Sequence, residues 1–176
     1  MAKIRIVVRE ASSEDLDAVT GLWKKLAEYH ATLSDDFSLA FDSKRKWSKY
    51  LREKFSEIST KLIVAEERGR IVGFMLCMLS PNVPIYKERK IGLISDVYVL
   101  EARRRKGVAK IMLDLAVKWF IKNKVKSLEL SVAAMNLEAR AAWRTLGFQP
   151  VMIRKRLNLD NYPPPERYTR VVRKRP

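Results

Sequence analysis

The chain has 176 residues, 47% of them hydrophobic, and carries 36 Lys and Arg against 20 Asp and Glu for a net charge of +16. That length and apolar content suit one packed domain, and no run approaches the ~20 apolar residues of a membrane-spanning helix. Cys77 is the single cysteine, which excludes an internal disulfide, and no Cys/His cluster has metal-ligand spacing; with no signal-peptide core at the start, a cytoplasmic protein without a metal is expected.

From Lys3 to Arg9 apolar and charged residues alternate, predicting a strand with one buried face. Ser12 and Ser13 before Glu14 and Asp15 mark a helix start, with acids near the positive end of the helix dipole. Leu16, Val19, Trp23, Leu26, Ala27 and His30 then recur every three or four residues as an amphipathic stripe. His30, the only histidine, closes the stripe; it reads first as a residue of the core margin, with substrate contact as the alternative. Trp47, Tyr50, Leu51, Phe55 and Ile58 predict a second helix from Ser43 to Ile58.

Leu62–Glu67 and Ile71–Leu79 form a predicted hairpin around Gly69, followed by an exposed loop, "SPNVPIYKERK". Ile91–Leu100 is a strand, Val108–Lys122 a helix, Ser127–Val132 a strand, and Asn136–Leu146 a helix that stops at Gly147. Two last strands are expected in "FQPVMIRKRL" and "RYTRVVRK", across the bend "NYPPPE". One domain over residues 1–172 results, with residues 173–176 a basic tail. The charge surplus concentrates anions of every kind, leaving phosphorylated cofactors, acidic proteins and nonspecific nucleic acid association open. Monomer and homodimer are both open.

The junction "RRKGVA" joins a strand to a helix. The first N–H groups of that helix lack intrahelical partners, and the dipole adds about half a positive charge. Arg103, Arg104, Arg105 and Lys106 supply mobile charge, while Gly107 and Ala109 remove bulk that would keep a phosphate from the backbone. Read alone, the string is equally a helix start beside a solvated basic face. Its setting changes that. Arg104, Gly107 and Ala109 fill the pattern [QR]-x-x-G-x-[GA], and "NLEARAAWRTLGF" places Asn136, Ala139, Trp143, Gly147 and Phe148 about thirty residues on.

With these two motifs the chain resembles the GNAT superfamily of acyl-CoA-dependent N-acyltransferases, in element order from Ile4 to about Val172. The resemblance implies an α/β (α+β) fold: a splayed mixed sheet of about seven strands flanked by about four helices. It implies acetyl-CoA as acyl donor and a primary amine as acceptor by direct attack on the thioester, a protein lysine or N-terminal amine ahead of a small-molecule amine; the alternative is a catalytically impaired protein that binds acyl-CoA or associates with nucleic acid. The backbone of Val97, Tyr98 and Val99 should face the pantetheine arm. The amides of Arg105, Lys106, Gly107, Val108, Ala109 and Lys110 should wrap the pyrophosphate, with Asn136 binding the arm or bracing the backbone.

N-acylation needs a neutral amine, and an alkylammonium with a pKa of about 10.4 must first lose a proton. Asp96, a carboxylate in the middle of the strand that should line the cleft, is the candidate base, with Glu129 second; a plain ion pair is the alternative. The tyrosine that serves as acid in many family members is replaced by Trp143, whose indole has no useful acidity. Tyr98 is the substitute by location, with Tyr162 and Tyr168 behind it, and each is also a plain packing tyrosine. Ser131 stands where some members carry a glutamate.

Overall fold

The computed structural model describes residues 6–162. In chain order its main elements are β1 (Ile6–Glu10), α1 (Leu16–Leu33), α2 (Ser43–Phe55), β2 (Thr60–Glu67), β3 (Arg70–Pro81), β4 (Lys90–Val99), α3 (Val108–Lys122), β5 (Leu128–Leu130) and α4 (Leu137–Thr145). The strands lie in sequence order in one five-stranded sheet, antiparallel except for the parallel pair β4 and β5.

Local chemistry sets these limits. Glu67 pairs with Arg70, so the hairpin loop is Arg68 and Gly69, both at positive φ (51° and 75°), as a type I′ turn requires. The start of α1 is fixed by Asp15, whose carboxylate accepts from the Ser12 N–H at 2.7 Å and from Arg9 at 2.7 and 3.0 Å. Helix α4 opens on Asn136, whose Oδ1 accepts from the Ala139 N–H at 3.0 Å.

The sheet divides two cores. On one face Leu16, Val19, Leu22 and Leu51 from α1 and α2 pack on Leu62, Val64, Phe74 and Leu76. On the other, Val108, Met112, Ala116 and Phe120 from α3 pack on Ile63, Met75, Ile94 and Val99, with Trp143 and Leu146 of α4 at the margin. Cys77 is fully buried there, and burial pushes its thiol up to about 12, which makes it inert.

Among the described residues the sheet has five strands, where the sequence predicts about seven in all. Val151, Met152 and Ile153 form a short apolar run as a strand could, but among the described residues β5 pairs only with β4, and residues 149–158 are exposed without strand structure. A strand needs an edge to pair with, and an apolar run alone does not supply one. The seventh expected strand, Tyr168, the limit at residue 172 and the basic tail lie outside the described residues.

Candidate active site

The site begins with a defect in β4. Leu76 of β3 faces Asp96 while the next residue, Cys77, faces Ile94, so Ser95 is an extra residue, a β-bulge. The bulge shifts the alternation by one. Ile94, Val97 and Val99 join the α3 core, and Tyr98 packs on the α1 side. Asp96, two residues from Tyr98, shares the α1 face, and lines a cavity there with Trp23 and His30.

The pairing with β5 ends at the same place. Only Gly92, Leu93 and Ile94 face Leu128, Glu129 and Leu130; beyond Ile94 no strand among the described residues pairs with β4 on that side. Gly92 permits the close approach below this point, since a Cβ there would lie 2.5 Å from Leu128 Cδ2 and 2.6 Å from the Phe120 ring. Above it β5 ends, and among the described residues the edge of β4 from Ser95 to Tyr98 has no strand partner on that side, so ligand or water must satisfy its backbone groups.

The open edge leads into α3. Gly107 sits at φ 78° and ψ 2° and gives the helix no side-chain cap. Arg105 also has positive φ, 56°. The first N–H of this stretch to reach an acceptor is that of Ile111, bonded to the Gly107 carbonyl at 3.1 Å. Among the described residues the amides of Arg105 through Lys110 have no acceptor. A Cβ on Gly107 would meet nothing within 4 Å. Consecutive unpaired donors at a helix N-terminus, open in front, form a cradle for an anion. A diphosphate fits them in charge and in hydrogen-bonding sense.

The basic side chains are less mobile than the sequence suggests. Arg103 is held by Glu67 through contacts of 2.6 to 2.9 Å, and Glu67 is itself buried. Arg103 is thus not free charge for a ligand; its guanidinium holds the Glu67 carboxyl below the usual carboxylate range, against the opposing effect of burial. Arg104 lies over Tyr98 and Tyr29, 5.6 and 5.9 Å from the ring centroids, and donates to the Val99 carbonyl at 3.1 Å. It also contacts Glu138 of α4 at 3.4 Å, across the gap. The Lys106 ammonium donates to the Ala102 carbonyl, and Lys110 pairs with Asp114. Arg105 has no ion pair among the described residues and is exposed.

Asp96 lies on the α1 face of β4, beside the gap. Its Oδ2 accepts from the Ser95 hydroxyl at 2.6 Å. Burial pushes the carboxyl above the usual carboxylate range, opposed by the Ser95 hydroxyl, the Trp23 indole and nearby His30. His30 is the mirror case: burial holds its imidazole below the usual histidine range, with Asp96 pulling the other way. Both line a cavity of about 220 Å³ between α1 and Phe37–Leu39. The sequence places His30 at the core margin and carries no sign of Asp96, with which it shares a cavity and interacts electrostatically. The available signal was a polar residue ending an otherwise apolar stripe.

The other candidates separate. Tyr98 shares the face of Asp96, its ring beneath Arg104. Asn136 is buried and spends its Oδ1 on the α4 cap, the bracing role. Trp143 packs edge-on against Phe148, centroids 5.2 Å apart, at the margin of the α3 core. Glu129 is exposed on β5, opposite Leu93, and Ser131 is exposed just past the strand. Tyr162 is exposed beyond α4. Among the described residues no group of three or more His, Cys, Asp or Glu is placed to hold a metal.

Residues 26–148 match the sequence profile of the acetyltransferase (GNAT) family. An uncharacterized N-acetyltransferase of Bacillus subtilis, YhfO, is 23% identical over 142 residues, 81% of this chain and 89% of that protein. A predicted acetyltransferase of Clostridium acetobutylicum solved with acetyl-CoA superposes with a TM-score of 0.74 at 20% identity, covering 88% of this chain and 97% of that one. An aminoglycoside 6'-N-acetyltransferase of Acinetobacter haemolyticus gives a TM-score of 0.67 at 21% identity, covering 86% and 99%. The profile match takes in β4, its bulge, the start of α3 and all of α4, and the chain belongs to the acetyltransferase (GNAT) family.

Proposed function

We propose that this GNAT-type N-acetyltransferase moves an acetyl group from acetyl-CoA to a primary amine by direct attack, with Asp96 as the proton acceptor. The observation that carries the reading is the row of unpaired amides from Arg105 to Lys110, continuous with the open edge of β4. Those amides would hold the diphosphate, and the edge from Val97 to Val99 the pantetheine arm. Acetyl-CoA supplies the thioester carbon. The chain's own residues prepare the nucleophile and order the approach.

The acceptor amine arrives as an ammonium without a lone pair. Asp96, with its proton affinity raised by burial, takes one proton directly or through a water. The lone pair then forms the C–N bond as the C–S bond breaks, its electrons leaving on the CoA sulfur. Of the two protons the nitrogen sheds, one goes to Asp96 and the other restores the hydroxyl that protonates the sulfur. Tyr98, on the same face of β4, is the candidate donor to that sulfur; Trp143 is packed against Phe148 and has no acidic proton to give.

For the acceptor a protein lysine or N-terminal amine is favoured. The net charge of +16 repels a free polyamine and draws in an acidic protein. A small-molecule amine is the second reading, favoured by the fold shared with the aminoglycoside acetyltransferase. Thiol release from acetyl-CoA with candidate amines tests the reaction. Asp96→Asn should lower kcat by about 100-fold or more and leave acetyl-CoA binding unchanged; undiminished kcat would remove Asp96 from the mechanism.

A further inference from the structure

Resting on the reaction proposed above, we infer that the cavity beside Asp96 accepts a single ammonium on a slender apolar stem of lysine type, and excludes polyhydroxylated amines, polyamines and peptide N-termini. The walls are apolar. Leu26 and Ala27 come from α1, and Phe37 and Leu39 from the segment after it. Trp23 is fixed by stacking on Trp47, centroids 4.7 Å apart and planes 10° from parallel, and Trp47 in turn meets Phe74 edge-on at 6.0 Å. The His30 ring rests on Phe37 with centroids 5.7 Å apart. These contacts prepare the slot before anything enters it.

The polar inventory is short. The Ser38 hydroxyl is already committed to the Asp35 carbonyl at 2.7 Å. Burial favours the neutral form of His30, and among the described residues of the lining Asp96 is the one carboxylate. One negative group matches one ammonium. The hydroxyls of an amino sugar, the further charges of a polyamine, or the peptide group beside an N-terminal amine would outnumber the partners that His30 and Trp23 offer among these apolar walls, at a cost for each group left unpaired. Size points the same way: about 220 Å³ lies below the ~300–1,000 Å³ of pockets that enclose drug-sized ligands. The slot therefore takes the end of an acceptor while the remainder stays outside.

The test compares kcat/KM for pentylamine, a lysine amide blocked at its α-amine, spermidine and kanamycin. The first two should exceed the others by about tenfold or more. Leu39→Lys, an exposed substitution at the rim, should raise KM for pentylamine by about tenfold through like-charge repulsion while acetyl-CoA binding stays unchanged. Binding is read apart from turnover, by the shift of the Trp23 indole and His30 resonances when pentylamine is added to the CoA complex. Equal turnover of kanamycin or spermidine, or an unchanged KM in Leu39→Lys, would overturn the assignment. Shifts at Trp23 and His30 without acetylation of any amine would uphold the slot and defeat the proposed reaction. Acetylation without those shifts would do the reverse.

Discussion

Gly107→Glu is the perturbation that separates an anion cradle from an ordinary helix start. Gly107 holds φ 78° with open space where a Cβ would stand, so neither alanine nor glutamate collides with protein. Both pay the left-handed backbone cost of about 1–2 kcal/mol in stability, and that cost is the same with ligand bound or absent. Only glutamate adds charge. A carboxylate about 6 Å from one phosphate charge at an effective dielectric near 20 is repelled by about 3 kcal/mol, which is roughly 100-fold in Kd. Calorimetric titration of wild type, Gly107→Ala and Gly107→Glu with acetyl-CoA measures this directly, with melting curves to show equal folding of the two variants. Added salt should narrow the gap between them. If Gly107→Glu binds within about threefold of Gly107→Ala, the diphosphate does not sit at this helix start.

Stability offers further checks. The Arg9 guanidinium, with help from the Ser12 N–H and hydroxyl, lowers the Asp15 carboxyl from 3.8 to about 2 against the cost of burial. Because the folded-state value is the lower one, its contribution of about 2 kcal/mol is complete above pH ~4 and is lost as pH falls through ~2. Asp15→Asn should flatten melting temperature against pH across that window, and an unchanged slope would contradict the pairing. Gly92→Ala should cost about 1–3 kcal/mol by forcing a methyl into Leu128 and Phe120, so an unchanged melt would show that β4 and β5 lie farther apart. Trp143→Phe should leave kcat and its pH profile unchanged, because an indole packed on Phe148 supplies no proton; a lost limb in that profile would refute this.

Much of the scaffold was legible because its signals are local. Helix α3 occupies Val108–Lys122 as its periodicity predicts, and the hairpin turns at Arg68 and Gly69 where the glycine indicates. The motif residues Arg104, Gly107 and Ala109 fall within the turn that opens α3, where the amides of Arg105 to Lys110 have no acceptor among the described residues. Nonlocal pairings were hidden. Arg103 looks like free charge in sequence, and only folding brings Glu67, 36 positions away, onto it. The face on which Asp96 stands depends on one extra residue at Ser95, and strict alternation carries no mark of that. His30 comes near Asp96 because α1 packs against β4, a docking that helical periodicity leaves free. Val151 to Ile153 have the pattern of a strand, yet a strand also needs a partner.

The most direct measurement is a crystal structure of the protein with acetyl-CoA. The amides of Arg105 to Lys110 should lie about 2.7–3.2 Å from diphosphate oxygens, with the pantetheine arm along the free edge of β4 and the thioester next to Asp96. A diphosphate bound elsewhere, with those amides still unpaired, would contradict the claim.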